Sequence, residues 1–144
     1  MMKGTIVVEQ FENPFCNCKQ YHLTEEISAL PRPSAFYRPI GRPECVEHLS
    51  ALGTTGALIV RQIMEIPGVT EVSVDQYSVT VHIGRAFLWG SDGVGYSASG
   101  IHARILNILC AQVFGCLDWL TAKYPDVDIV DGNKALHRLE GVER

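Results

Sequence analysis

The chain has 144 residues, of which 47% are hydrophobic and 19% are charged, and its formal net charge is −4 at pH 7. This length and composition are those of one globular domain rather than of a disordered segment. The negative charge gives no general electrostatic reason to expect a nucleic acid or an anionic membrane as a partner, and no apolar run reaches the roughly 18 residues of a membrane-spanning helix.

The N-terminal residues, MMKGTIVVEQFE, contain no apolar stretch long enough for a secretory signal before the acidic Glu9 and Glu12. We therefore predict a cytoplasmic protein. The five cysteines are then expected to be reduced, and their odd number argues against a complete disulfide framework.

The first predicted elements form a β-hairpin. Residues 5–11, TIVVEQF, are rich in β-branched side chains and predict a strand. An Asn-Pro pair interrupts it, and residues 18–23, CKQYHL, predict a second strand paired with the first. Residues 24–30 then favour a short helical turn capped by Thr24.

A proline-rich segment at 31–43 follows, and its four prolines favour an extended surface loop over a helix. Its three arginines alternate with Phe36 and Tyr37, as in some nucleic-acid platforms. In an acidic chain, a solvated loop is the better interpretation. Residues 44–52 next predict a short helix that stops at Gly53.

A second helix is predicted to begin at Thr54 or Thr55, either of which can cap it, and to end at Pro67-Gly68. Its apolar side chains recur at helical spacing and form one stripe, made of Leu58, Ile59, Ile63 and Ile66. The stripe predicts that this helix packs one face against the sheet.

A second hairpin is predicted over residues 69–83, with a two-residue turn at Asp75-Gln76 that pairs Val74 with Tyr77. In this register one face is apolar and consists of Val72, Val74, Tyr77, Val79 and Val81. The opposite face is polar and consists of Glu71, Ser73, Ser78, Thr80 and His82. Such a pattern is typical of a sheet that helices cover on one side only.

The last third of the chain begins with a Gly-rich loop at 84–100, and a long helix is predicted from Ile101 to Tyr124. The apolar face of that helix is expected to contain Ile105, Leu109, Val113, Cys116 and Leu120. Two interpretations fit the polar C-terminal tail at 125–144: a short strand at 127–130 followed by a frayed helix, or a loose tail.

Taken together, the order β-β-α-β-β-α predicts one domain over residues 1–144 with an α+β fold. We expect a two-layer sandwich in which helices lie on one face of a mainly antiparallel sheet.

Two stretches, VEQFENPFCNCKQYHL at 8–23 and GALIVRQIMEIPGVTEVSVDQYSVTVHI at 56–83, resemble the N-terminal domain of the Nfu/NifU-like iron–sulfur cluster scaffold proteins. The resemblance covers about half the chain, in the order and spacing of that family. It implies the family's fold and a partner-binding or accessory role near iron–sulfur assembly, with the assembly machinery as the expected protein partner.

This sequence also departs from the family. The segments at 31–43 and 84–100 are longer than the family needs, and the lysine of the first stretch comes one place later. Such scaffolds usually carry their cluster on a separate C-terminal domain with a Cys-x-x-Cys pair, which is absent from this sequence. A cluster-binding role is therefore not carried over.

Cys16 and Cys18 form a Cys-x-Cys motif between the first two strands, and two thiolates are suitable ligands for zinc, copper(I) or an iron–sulfur cluster. His22 and Cys45 would complete a set of four only if the tertiary fold brought them close. The alternative interpretation is packing, because free cysteine is among the most buried residue types.

A second candidate site lies where the Gly-rich loop meets the long helix. Ser99, Gly100 and Arg104 would bind an anion there, because backbone amides at a helix N-terminus favour phosphate or carboxylate. A flexible loop joined to a capped helix is the alternative. Nucleophilic catalysis would need a couple such as Cys18 with His102, and the spacing selects no such pair.

Three functions remain open. The leading hypothesis is a non-enzymatic accessory or interaction module, similar to the Nfu N-terminal domain, in iron–sulfur cluster assembly. The alternatives are a metal-binding or redox protein that uses Cys16 and Cys18, and a small enzyme or anion-binding protein that uses the 84–100 loop. The sequence requires no cofactor, is compatible with zinc or an iron–sulfur cluster, favours a protein partner over nucleic acid or membrane, and leaves homo-oligomer formation open.

Overall fold

The computed structural model describes residues 4–13, 16–92, 95–96, 100–116 and 127–133. Its elements are, in chain order, β1 Gly4–Asn13, β2 Cys16–Leu23, β3 Ser34–Tyr37, α1 Pro43–Leu52, α2 Thr54–Met64, β4 Val69–Val74, β5 Ser78–Ile83, β6 Ser91–Asp92, β7 Gly95–Tyr96, α3 Ile101–Phe114 and β8 Val127–Asp131. Six strands form a mixed sheet in the order β3-β4-β5-β2-β1-β8, while β6 and β7 pair separately. The predicted α+β fold class is confirmed.

The first hairpin is confirmed. Strands β1 and β2 pair in antiparallel register from Ile6 opposite Leu23 to Asn13 opposite Cys16. β2 then pairs with β5, which joins the two predicted hairpins into one sheet. Ile6 and Tyr21 are fully buried beneath the helices, because alternate strand residues point to the same face.

The predicted register of the second hairpin is wrong by two residues. Val74 lies opposite Val79, not Tyr77, and the Asp75 N–H donates to the Ser78 carbonyl at 2.9 Å, so the turn is made by Gln76 and Tyr77. The turn is held one position later than predicted because the carbonyls of Gln76 and Tyr77 accept hydrogen bonds from the backbone N–H groups of Ile27 and Leu23, at 2.7 Å each.

A shift of two residues keeps each side chain on its predicted face, since the side-chain period of a strand is two. The predicted apolar face is accordingly confirmed for its valines, which are fully buried: Val72, Val74, Val79 and Val81. Tyr77 is the exception, because it lies in the turn with half of its surface exposed.

Helices α1 and α2 are confirmed, with one correction to the cap between them. Gly53, at φ 97°, ends α1 and is also the N-cap of α2, so neither Thr54 nor Thr55 caps that helix. The stripe of α2 is buried at Ile59 and Ile63. Ile66, just beyond the end of α2, is buried as predicted, whereas Leu58 was wrongly placed in the stripe and is 37% exposed. Val60 and Met64 are buried as well.

The long C-terminal helix ends ten residues earlier than predicted. Gly115 adopts the left-handed conformation at φ 68°, and the N–H of Cys116 donates to the carbonyl of Cys110 at 2.9 Å. The Gly115 N–H also donates to the Ala111 carbonyl at 3.2 Å, which makes this an αL cap, in which a glycine with positive φ ends the helix. Ile105 and Leu109 are fully buried as expected. Leu120, the last member of the predicted apolar face, lies outside the described residues.

Two local predictions between β2 and α1 are wrong. Residues 24–30 form no helical turn, because their backbone bonds to other segments: the Ile27 N–H donates to the Gln76 carbonyl and the Ala29 N–H donates to the Leu52 carbonyl. The segment at 31–43 is more than a surface loop: Ser34–Tyr37 is an edge strand antiparallel to β4. Phe36 of this strand is 2% exposed and belongs to the core, so it is no stacking platform for nucleic acid.

At the opposite edge, the strand predicted at 127–130 is confirmed as β8, which runs parallel to β1. The side chain of Asn133 accepts a hydrogen bond from the Gln10 N–H at 2.6 Å and donates one to the Gln10 carbonyl at 3.2 Å. The rest of the predicted C-terminal tail, 134–144, lies outside the described residues. None of the helices in the described ranges combines the length and apolar character needed to cross a bilayer.

Candidate functional site on the open face of the sheet

The face of the sheet opposite the described helices, which we call the open face, carries a transverse row of five side chains. The strand registers align Tyr37, Glu71, His82, Cys18 and Phe11 across β3, β4, β5, β2 and β1. The two ends of the row are aromatic and exposed, Tyr37 by 54% and Phe11 by 42%, whereas Cys18 near the middle is only 5% exposed.

Hydrogen bonds and ion pairs connect several of these open-face side chains. His82 Nε2 lies 3.3 Å from Glu71 Oε2. A hydrogen bond to Glu71, together with its negative charge, raises the pKa of Tyr37 above its ordinary value. A second histidine–carboxylate pair lies further along the sheet, where His22 Nε2 is 2.6 Å from Glu9 Oε1.

The open face is acidic. Its described positions, read from the strand pairing, are Thr5, Val7, Glu9 and Phe11 on β1; Cys18, Gln20 and His22 on β2; Ala35 and Tyr37 on β3; Glu71 and Ser73 on β4; Ser78, Thr80 and His82 on β5; and Asp128 and Val130 on β8. These positions include three carboxylates and, among the described residues, neither a lysine nor an arginine. The positive charge available there is that of the two histidines when they are protonated.

The structure separates the residues that the sequence suggested as metal ligands. Cys18 and His22 are four positions apart on β2, a distance of roughly 13 Å along a strand, and His22 is bound to Glu9. Cys45 lies in α1, where its Sγ is 3.9 Å from the Pro39 carbonyl oxygen. Cys16 begins β2, and its side chain lies outside the described part of the structure.

Within the described ranges, no group of three or more His, Cys, Asp or Glu side chains is placed to hold a metal ion. His22 and Cys45 are therefore not brought to Cys18. The suggestion that Cys16 and Cys18 bind a metal stays a prediction. The residue directly opposite Cys18 is His82, which sequence reasoning did not select.

The suggested Cys18–His102 couple is also separated. Cys18 lies on the open face, while His102 Nδ1 is 2.9 Å from the hydroxyl of Tyr21 on the helical face. Because alternate residues of β2 point to opposite faces, the sheet lies between the thiol and this imidazole.

A second polar cluster, which sequence reasoning also missed, is buried on the helical face near the N-terminus of α3. Lys19 and His102 are 5% and 6% exposed, and the Lys19 Nζ lies 5.6 Å from the ring centroid of Trp89. The Trp89 Nε1 donates to Asn17 Oδ1 at 2.8 Å, and the backbone N–H of His102 donates to the Trp89 carbonyl at 2.9 Å.

Burial changes the proton affinities of this cluster. It lowers the pKa of His102 to about 3, with a smaller contribution from the positive charge of Lys19. It also lowers the pKa of Lys19, against the opposing effect of Asp131, and raises that of Tyr21 well above its ordinary value. Among the described residues, every buried side-chain nitrogen or oxygen has a hydrogen-bond partner, so the cluster is a satisfied network.

The suggested anion site at the start of α3 is described only in part. Gly100 is the N-cap residue, with φ −71° and ψ 161°, and no side chain caps the helix. Arg104 is exposed on the first turn. Ser99 lies outside the described residues, so binding of an anion by Ser99, Gly100 and Arg104 stays a prediction.

Comparison of the chain with models of protein families, with curated proteins and with solved structures found no match.

Proposed function

We propose that this chain is a non-enzymatic interaction module whose open sheet face binds a protein partner through a basic docking surface. By its resemblance to the Nfu N-terminal domain, the expected partner belongs to the iron–sulfur assembly machinery. The observation that carries the proposal is the acidic open face, on which Glu9, Glu71 and Asp128 lie without a lysine or arginine among the described positions.

Charge complementarity supports a basic partner. A face of one sign attracts the opposite sign during encounter and disfavours partners of like charge. The exposed aromatic rings of Phe11 and Tyr37 lie at the two ends of the transverse row and provide apolar area of the kind enriched in interfaces.

The Glu71→Gln variant tests the contact surface. It keeps the size of the side chain and removes one carboxylate, so we expect binding of the partner to weaken about threefold to tenfold at low salt, with a smaller difference at high salt. The chain is used as bait in lysate of its native host, iron–sulfur assembly proteins are identified by mass spectrometry, and the affinity of the purified partner is then measured for each variant.

Glu47→Gln is the matched control, because Glu47 is an exposed carboxylate on α1, in the helical layer. It removes the same charge from the chain and should leave the affinity unchanged. If both variants weakened binding equally, the affinity would depend on the net charge of the chain and not on the open face. Repeated recovery of no assembly protein would contradict the partner class.

A second candidate function, a metal-binding or redox protein, is favoured by the position of His82 directly opposite Cys18. If Cys16 and Cys18 bind a soft metal, we expect His82, which lies opposite Cys18, to contribute the imidazole ligand, because His22 is four positions away from Cys18 along β2. Metal analysis and a UV–visible spectrum of anaerobically purified protein should then reveal a stoichiometric metal. Cys18→Ser and His82→Ala should remove it, while Cys45→Ser should retain it; the same content in all four proteins would contradict this function.

A further inference from the structure

The helical layer contains a cleft of about 720 Å³ that is separate from the open sheet face. One wall is the Pro39–Gly41 segment, and the others are Val46 and Leu49 of α1 and the C-terminal turn of α2. Leu49 and Met64 are 1% and 3% exposed and close the floor, while Val46 at the rim is 42% exposed. A volume of this size lies within the range of about 300–1,000 Å³ that is typical of sites for small organic ligands.

One arginine is fixed in the wall of this cleft. The Arg38 Nε donates to the Val69 carbonyl at 2.7 Å, and its Nη2 donates to the Ile66 carbonyl at 2.9 Å. Two hydrogen bonds from one planar guanidinium set its orientation before any ligand arrives. The Nη1 group makes no hydrogen bond to another described residue, so it retains donors for a ligand.

A second guanidinium, that of Arg61 on α2, lines the same cleft and is exposed. It makes no hydrogen bond or ion pair with another residue in the described ranges. Glu65, one helical turn later, is the acidic group of the lining and forms no ion pair with Arg61 there. The lining therefore has two positive charges against one negative charge, around an apolar floor.

We propose that this cleft binds a small carboxylic acid with an apolar tail, such as a medium-chain carboxylate. The tail would pack on the accessible apolar side chains of Val46, Ile40 and Pro39, and the carboxylate would accept hydrogen bonds from Arg61 and from the fixed guanidinium of Arg38. Charged hydrogen bonds between guanidinium and carboxylate are stronger than neutral ones, which explains why an anion is preferred to an alcohol of the same length. This site is independent of the protein contact proposed for the open face.

Calorimetric titration with octanoate, 1-octanol and acetate separates the contributions of tail and charge. We expect octanoate to bind at least about fivefold tighter than either of the others, because 1-octanol lacks the carboxylate and acetate lacks the apolar tail. Arg61→Gln should weaken octanoate about fivefold without changing octanol. Glu65→Gln should tighten octanoate about twofold, since it removes the repelling carboxylate.

Arg32→Gln is the matched control, because Arg32 is exposed and lies outside the cleft; it should bind octanoate as the unmodified chain does. All three positions are on the surface, and equal unfolding temperatures would show that the variants fold alike. Equal binding of octanol and octanoate, or no effect of Arg61→Gln, would overturn the proposal. An acidic peptide that binds more tightly than octanoate with the same Arg61 dependence would overturn the ligand class in favour of a protein segment.

Discussion

Between pH 7 and pH 4.5, the free energy of unfolding is expected to fall by about 2–3 kcal/mol through His102 alone. Burial lowers the pKa of this imidazole from 6.5 to about 3 in the folded chain. As the pH falls below 6.5, the unfolded chain takes up the proton while the folded chain does not. The stability that His102 contributes above pH 6.5 is therefore lost progressively toward pH 3, at about 1.4 kcal/mol per pH unit.

The charge of Lys19 acts on His102 in the same direction as burial. The positive charge of Lys19 opposes a second positive charge on the imidazole, and the Tyr21 hydroxyl, whose pKa is itself raised, stays neutral as the partner of Nδ1. Protonation in the folded state would therefore add a buried cation beside another one, at a cost that unfolding avoids.

Urea unfolding at both pH values, for the unmodified chain and for His102→Asn, measures this contribution. The asparagine places a polar atom near the position of Nδ1 but does not titrate. Between pH 7 and pH 4.5, the free energy of unfolding of this variant should therefore fall by about 2–3 kcal/mol less than that of the unmodified chain. His48→Asn is the control, since His48 is exposed beside the Phe36 ring, and it should keep the slope of the unmodified chain. An unchanged slope in His102→Asn would contradict the assignment.

The faces of the sheet could be predicted from the sequence, because alternation along a strand is a local property. Val72, Val74, Val79 and Val81 are buried as the pattern predicted, although the pairing was wrong by two residues. The register depended on hydrogen bonds from Leu23 and Ile27 to the turn, which join segments about 50 residues apart in the sequence. No local pattern carries that information.

Which residues lie next to each other in the candidate site could not be predicted either, for a related reason. Cys18 meets His82 because β2 lies beside β5 in the sheet, and strand order follows from tertiary packing rather than from spacing. The edge strand β3 was not predicted because prolines flank it and indicated a loop, although prolines are compatible with a strand at the edge of a sheet. Its position brings Tyr37 into the row beside Glu71.

Replacement of Gly56 by valine is expected to lower the free energy of unfolding by about 3 kcal/mol. Gly56 lies in the first turn of α2, and a Cβ atom there would be 2.6 Å from the backbone oxygen of Ile27 and 3.1 Å from the Cβ of Leu52. The Ile27 segment has little freedom to withdraw, because its N–H is bonded to the Gln76 carbonyl of the hairpin turn. The larger side chain must therefore displace α2 from the 24–30 segment that packs against it.

The Gly56→Ala variant decides between two opposing effects. In an open helix, alanine in place of glycine is worth about 1 kcal/mol of stability. Here the close contact with a backbone oxygen should exceed that gain, and a net loss of about 1–2 kcal/mol is expected in urea unfolding. Gly41→Ala is the matched control, because a Cβ at Gly41 meets nothing within 4 Å; its stability should change by less than about 0.5 kcal/mol. If Gly56→Ala were instead more stable than the unmodified chain, α2 would not lie as close to the 24–30 segment as the structure places it.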